Sequence, residues 1–342
     1  LKKLIAYYLP QFHEINENNE WWGKGFTEWT LVKSATPYVH GQRIRKPTTL
    51  GYYNLLEDKE IYDKQFKLAQ QNGVHGFCLW TYWFGGGEKI LEKPLEILKE
   101  NTTVNYCIAW ANHSWYNKTK NILLKEQKYL GKKDYEDFFY YMLPHFKKNN
   151  YIKVDNKPVV TIFNPSQIPD LDVFIHTWLE LAASNNLDGI YFVAEHTQPN
   201  SNYVNYFDAY FDSGIINQPI GLIERIINKL VRHKKITILG PVVFDFKQRF
   251  EHMFESKSLD KKHIPFILTG WDTTVRHKKL GIYHKNFDMK NFKNHVENAI
   301  KFNSENELII VKSWNEWAEG NILEPDNIFD DQLLKIIKEA NT

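Results

Sequence analysis

The 342-residue chain is 43% apolar and 25% charged, the profile of a soluble globular protein with one large core or two ordinary domains. Its 43 lysines and arginines meet 41 aspartates and glutamates, so a formal charge of +2 exerts no strong pull on nucleic acid or membrane. Cysteine is confined to Cys78 and Cys107, too few for a disulfide framework and read as buried free thiols.

The chain opens LKKLIAYYLPQF, an apolar run shorter than a signal-peptide core or a spanning helix. No transmembrane segment is expected, and a cytoplasmic location follows if nothing has been trimmed from this end. The N-x-S/T triplets at Asn101, Asn112 and Asn117 carry weight only in a secreted chain. Strand-like runs then recur at Leu4–Gln11, Val74–Phe84, Tyr106–Asn112, Pro158–Asn164, Gly189–His196, Ala209–Gly214, Phe266–Asp272 and Leu308–Trp314. Helix-like stretches lie between them: Lys59–Asn72, Glu88–Glu100, Tyr135–Asn149, Val173–Asn185 and Met289–Phe302. Near-continuous apolar strands alternating with helices argue for a parallel sheet covered on its outside. Eight of them without a linker predict one α/β domain over residues 1–342, a single (β/α)8 TIM barrel. The sixth strand is the weakest signal. The stretch from Ile215 to Lys262, with an Ile/Lys-rich piece and KQRFEHMFESK, is read as holding at least two helices.

Polar and aromatic residues gather where each apolar run ends. They are Gln11 and His13; Trp80, Tyr82 and Trp83; Trp110, Asn112 and His113; Asn164; Glu195 and His196; Trp271 and Asp272; Trp314, Asn315 and Glu316. Strand ends are often polar because they reach the surface, but that does not place tryptophans at four of them. In a barrel these ends meet on one face, where active sites are built. The aromatic share of 15%, with 11 Trp and 19 Tyr, suits a sugar site, because rings stack on pyranose C–H faces while polar edges bond hydroxyls.

The densest signal is KSWNEWAEGNILEPD, Lys312–Asp326, with four acidic residues and two tryptophans after the last strand. Glu316 and Glu319 stand three apart; in a helical turn their Cβ atoms would lie roughly 5–6 Å apart on one side. Close like charges split their pKa values, so one carboxylate is ionised while the other holds a proton. Glycoside cleavage needs that division between an acid and a base or nucleophile. A helix N-terminus decorated with glutamate is the bland alternative, and two tryptophans among the acids speak against it.

The segment WNEWAEG resembles the catalytic stretch of glycoside hydrolase family 99, the endo-α-mannosidases and endo-α-mannanases. The chain is more similar still to the WbsX-like proteins of bacterial surface-polysaccharide synthesis. The matching stretches are AYYLPQFH (6–13, with Tyr8), WWGKGFTEW (21–29), GFCLWTYWF (76–84), AWANHSW (109–115), TGWDTT (269–274) and SWNEWAEG (313–320). The resemblance implies that Glu316 is the base and Glu319 the acid of a retaining mechanism. In it the sugar's own 2-hydroxyl, deprotonated by the base, attacks C1 and gives a 1,2-anhydro sugar. It also implies an oligosaccharide or polysaccharide substrate and no metal or cofactor. Ala318 departs from the histidine that the mannosidases typically carry there, so shape or polarity beside the cleaved bond differs.

Elsewhere, His113 and Trp115 are read with Trp110 and Asn112 as stacking and hydroxyl-binding groups, since no HExxH spacing suggests zinc. Glu195 either holds a sugar hydroxyl or pairs with a cation, and Asp272 has Arg276 as its expected partner. Trp21, Trp22, Glu28 and Trp29 are either a fold lock or a site wall. Gly85–Gly87 lacks the Gly-Lys-Ser/Thr of a phosphate loop and is read as a flexible loop near the site; Lys234 and Lys235 are read as solvated surface. Two rivals to the hydrolase are a nucleotide-sugar glycosyltransferase, or transglycosylase, of O-antigen or capsule synthesis and a binding protein that lost turnover. A diphosphate-binding Gly-rich turn or paired-Asp motif would favour the transferase, and none is evident. Oligomeric state is not legible.

Overall fold

The computed structural model describes residues 2–117, 120–251, 253–254, 260–302 and 306–342. Eight parallel strands form its centre: β1 (Lys3–Tyr8), β2 (Val74–Trp83), β3 (Tyr106–Trp110), β4 (Lys157–Ile162), β5 (Tyr191–Ala194), β6 (Ala209–Tyr210), β7 (Phe266–Leu268) and β8 (Leu308–Lys312). Their hydrogen-bonded order is β6-β5-β4-β3-β2-β1-β8-β7. At the remaining seam Tyr210 forms a parallel bridge with His263, ahead of β7. There Tyr210 N donates to Lys262 O at 2.8 Å and Ile264 N to Tyr210 O at 3.0 Å. The fold is a (β/α)8 barrel with every expected strand present; β6 and β7 are shorter than their apolar runs.

Helices α1 (Ile61–Gln71), α2 (Lys93–Glu100), α3 (Lys132–Phe146), α4 (Leu171–Ser184), α5 (Met289–Lys301) and α6 (Gln332–Ala340) form the outer layer. In α4, Leu171, Phe174, Ile175, Trp178 and Ala182 are buried, the three-and-four spacing of one inward stripe. Asp288 caps α5 by accepting from Asn291 N at 2.9 Å. The helix expected over Glu88–Glu100 starts later, because Lys89 and Ile90 pair antiparallel with Trp83 and Tyr82. Between β6 and β7, Leu222–Asn228 and Phe246–Phe250 are helical, and Val242–Asp245 pairs in parallel with Ile282–Lys285. Of the KQRFEHMFESK stretch, residues 252 and 255–257 lie outside the described residues, as do residues 118 and 119 of the Asn117 triplet.

Strand alternation decides which side chains reach the barrel interior. On β1, Tyr7 turns inward to Glu195, while Tyr8 turns outward and donates to Gln65 Oε1 of α1 at 2.7 Å. Trp80 on β2 packs against Tyr7 with ring centroids 4.5 Å apart. Trp110 on β3 faces outward, against Phe138 of α3 and Phe174 of α4. Cys78 and Cys107 are buried and unbridged.

Candidate active site

After β8, Asn315 and Glu316 pair antiparallel with Ile322 and Asn321, and the hairpin between them is a 3-10 turn, Trp317–Glu319. The α-helical turn expected for Glu316 and Glu319 is therefore replaced by a tight hairpin. Gly320 closes it at φ +59°, where an added Cβ would lie 2.7 Å from Cβ of Asp272, so both conformation and space call for glycine.

Buried polar groups hold the hairpin from behind. Asn315 Oδ1 accepts from Leu9 N at 2.7 Å and its Nδ2 donates to Leu9 O at 3.2 Å, tying the hairpin to the end of β1. Trp317 donates its indole N–H to Glu324 Oε2 at 2.7 Å. Arg45 spans Asp326 at 2.6 Å and the carbonyls of Thr269 and Ile322 at 2.7 and 2.8 Å. Fully buried Glu28 accepts from Ala318 N, inside the turn itself, at 2.8 Å. Arg276 then joins Glu28 at 3.0 Å to Glu319 at 3.5 Å.

The hairpin presents both glutamates to a cleft of about 480 Å³ at the C-terminal mouth of the barrel. Trp80, at the end of β2, donates to Glu316 Oε1 at 2.6 Å. Burial pushes the Glu316 carboxyl up to about 8, reinforced by the nearby charge of Glu319 and only partly opposed by Lys312 and the Trp80 hydrogen bond. Burial and the neighbouring charge thus favour the protonated form of Glu316 at neutral pH. Burial opposes the Arg276 charge, but Glu28, Glu319 and Glu316 outweigh it and raise its pKa.

Beneath the pair lies a second charged group. Lys312 meets Glu195 Oε1 at 2.6 Å, Tyr7 donates to Glu195 Oε2 at 2.6 Å, and the Ser213 hydroxyl also bonds Oε1. Burial would raise the Glu195 pKa, yet Lys312, His196 and Ser213 together hold it below the ordinary value. The Lys312 ammonium also sits over Tyr7 and Trp80, 4.7 and 5.4 Å from their ring centroids. Lysine, tyrosine and tryptophan therefore form a charged aromatic floor under Glu316.

The structure divides the expected site residues in two. Gln11, Trp80, Tyr82, His113, His196, Trp271, Glu316 and Glu319 line the cleft. Tyr8 and Trp110 do not, because strand parity turns them to the helices. His13 is 1% exposed and buried outside the cleft lining, with burial lowering it to about 4. Asn112 is spent on Asn164 and Tyr129, and Asn315 on Leu9 and Tyr53. Asp272 accepts from Gln42 at 2.6 Å and from Thr274, not from Arg276 as expected, and burial raises its pKa. Glu195 lies one layer behind the wall, paired with Lys312.

The long first loop supplies both wall and lock: Trp22, Phe26 and Leu31 line the cleft, while Trp29 packs on Trp317 and Glu28 holds the turn. Gly85–Gly87 is not loose; Gly86 N donates to Asp134 Oδ1 at 2.8 Å and Gly85 abuts Lys128. Sequence reasoning passed over Tyr7, Phe163, Ser213 and Lys312, and read Arg276 only as the partner of Asp272. Alternation along β1 separates Tyr7 from Tyr8 without saying which faces in, and the actual partner of Arg276 is the sequence-distant Glu28. Among the described residues, no group of three His, Cys, Asp or Glu is placed to hold a metal ion.

A (β/α)8 barrel that gathers a carboxylate pair and several tryptophans at its C-terminal mouth has the architecture of a carbohydrate-active enzyme. The chain belongs to the WbsX glycosyltransferase family, whose model matches residues 4–337. It is 28% identical over 336 residues to the uncharacterized protein WxcX of Xanthomonas campestris pv. campestris strain B100, covering 94% of this chain and 47% of that protein. The chain thus spans about half the length of the curated relatives it matches. Among solved structures, a glycoside hydrolase-like protein superposes with a TM-score of 0.64 at 17% identity, covering 100% of this chain and 94% of that one. The family-99 endo-α-mannosidase from Bacteroides thetaiotaomicron, in complex with bis-tris propane, gives 0.57 at 15% identity, covering 99% and 95%. At those identities the likeness is one of fold.

Proposed function

We propose that the chain is a glycoside-cleaving enzyme that acts on a bacterial surface polysaccharide or related glycan through Glu316 and Glu319. One observation carries this reading: buried Glu316, its carboxyl raised by burial and by the charge of half-buried Glu319, opens with Glu319 into a cleft walled by Trp22, Trp80, Tyr82, Trp115 and Trp271. Carried over from the resemblance, Glu316 takes the proton of a sugar 2-hydroxyl, whose oxygen attacks C1, and Glu319 protonates the leaving oxygen. A carboxyl raised to about 8 is a strong base once ionised, which suits a hydroxyl proton. Because burial favours the protonated form of Glu316 in the free protein, this route requires Glu316 to ionise when a sugar fills the cleft. The family's description as glycosyltransferase supports a second outcome with the same pair, in which an acceptor hydroxyl replaces water and the product is a transferred glycan. Incubation with a glycan panel, with and without added acceptor sugars and with Glu316→Gln as the control, tests both. Release of reducing ends marks hydrolysis, longer products mark transfer, and a requirement for a nucleotide sugar contradicts the proposal.

A further inference from the structure

The segment between β6 and β7 bears a surface that the cleft does not use. In the helix Leu222–Asn228, Ile227 is half-buried against a small satellite core of Val231, Val242, Phe244 and Ile282. Leu222, Ile223 and Ile226 of the same helix are also apolar yet exposed, Leu222 by 74% and Ile223 by 73%. Three- and four-residue spacing puts these three side by side. The chain returns through Ile236, Ile238 and Leu239, all exposed, with Ile238 at 85%. Six exposed leucines and isoleucines within residues 222–239 are more apolar surface than a monomeric soluble protein commonly leaves in water on one short segment.

Charge is concentrated on the same segment. Residues 222–239 hold Arg225, Lys229, Arg232, Lys234 and Lys235 against Glu224 alone, although the whole chain carries only +2. Glu224 is already neutralised by Arg249 at 3.2 Å, which also donates to the carbonyls of Ile215 and Gln218 and so pins the segment's entry. Arg225, Lys229, Lys234 and Lys235 are exposed, and half-buried Arg232 lines the cleft. Solvated surface accounts for the lysines but not for the isoleucines between them. Apolar side chains interleaved with exposed cations match the interface of an anionic bilayer, where the former enter the acyl boundary and the latter meet headgroups.

From this surface we infer that residues 220–239 dock the protein peripherally on anionic lipid membranes. Among the described residues no helix is long and apolar enough to cross a membrane, so the attachment is interfacial. Because Arg232 belongs to both the segment and the cleft wall, docking sets the cleft mouth beside the bilayer. Resting on the carbohydrate reading, the favoured substrates are glycans carried on lipid.

Co-sedimentation with phosphatidylcholine vesicles, with and without phosphatidylglycerol, tests the docking. The chain binds the mixed vesicles, and loses binding as salt is raised. Lys234→Ala/Lys235→Ala lowers the partition coefficient by about five-fold per lysine, and Ile223→Ser/Ile226→Ser lowers it at least as far with an unchanged circular dichroism spectrum. Glu316→Gln binds vesicles like the parent, so failure of the carboxylate reading would leave this result standing, and the reverse. Equal recovery with neutral vesicles alone, or none with either, overturns the inference. So does concentration-dependent dimerisation that Ile223→Ser/Ile226→Ser abolishes, which would assign the patch to a second copy. Binding to single-stranded DNA as tight as to vesicles, indifferent to the isoleucine changes, overturns it in favour of a polyanion site.

Discussion

The indole N–H of Trp80 donates to Glu316 Oε1 at 2.6 Å, joining the end of β2 to the hairpin after β8. The hydrogen bond favours the ionised carboxylate, against burial and the charge of Glu319, which together push Glu316 up to about 8. Activity requires one proton on the pair in either assignment of acid and base. The free enzyme's kcat/KM therefore declines as pH rises through about 8, where that proton is lost. Trp80→Phe removes the donor and moves the alkaline limb upward, and a pH–rate profile of the two proteins checks the shift.

Stability carries the opposite signature from that of a salt-bridged carboxylate. Glu316 is raised from 4.5 to about 8 and Glu324 to about 7, so the folded state binds more protons than the unfolded state in that interval. Their contribution is fully present below about pH 4.5 and is lost as pH rises through 7 to 8. Glu316→Gln removes one of these groups. Its melting temperature should exceed that of the parent by more at pH 9 than at pH 5, as thermal melts at both values would read.

Glu28 positions the chemistry without touching a substrate. It holds Ala318 N at 2.8 Å and orients Arg276, which meets Glu319 at 3.5 Å. Glu28→Gln removes one of the two carboxylates that meet Arg276 and leaves Glu319 at 3.5 Å, so it should cost at most about 3 kcal/mol, the lower end of the range for a broken buried pair. The expected kinetic signature is a loss in kcat with little change in KM. Denaturant titration and steady-state kinetics separate the two effects.

Lys312 and Glu195 bond at 2.6 Å with side-chain exposures of 7% and 0%. Lys312→Met strands a buried carboxylate and should destabilise by roughly 3–5 kcal/mol. Adding Glu195→Gln should recover part of that loss, because the uncompensated charge disappears. A double-mutant cycle in urea gives the coupling, and additive losses would show that the two act independently.

The barrel was legible because its eight strands are buried on both faces and so read as continuous apolar runs. Clustering at the strand ends likewise located the mouth. It did not tell wall from support: Trp110, Asn112 and Asn315 stand beside cleft residues in sequence, yet turn to helices or backbone. Alternation along β1 separates Tyr7 from Tyr8, but a run with no polar positions hides which parity faces in. Glu28 and Arg276 lie 248 residues apart, and only the folded chain brings them together. The isoleucines of the β6–β7 segment look like core in a sequence, and their exposure is visible only in the fold.

The central claim is that Glu316 and Glu319 perform separate proton transfers on a glycoside. Its most direct test compares Glu316→Gln and Glu319→Gln on the natural linkage and on an activated aryl glycoside of the same sugar. Each change should cost on the order of 10²–10⁴-fold on the natural linkage, the scale of a positioned proton-transfer group. Glu319→Gln should keep appreciable rate on the aryl glycoside, whose leaving oxygen needs no acid, while Glu316→Gln should lose both. The reverse pattern would exchange the roles, in keeping with the raised pKa of Glu316. Parental rates in both variants on both substrates would contradict the account, leaving the WNEWAEG hairpin as scaffold.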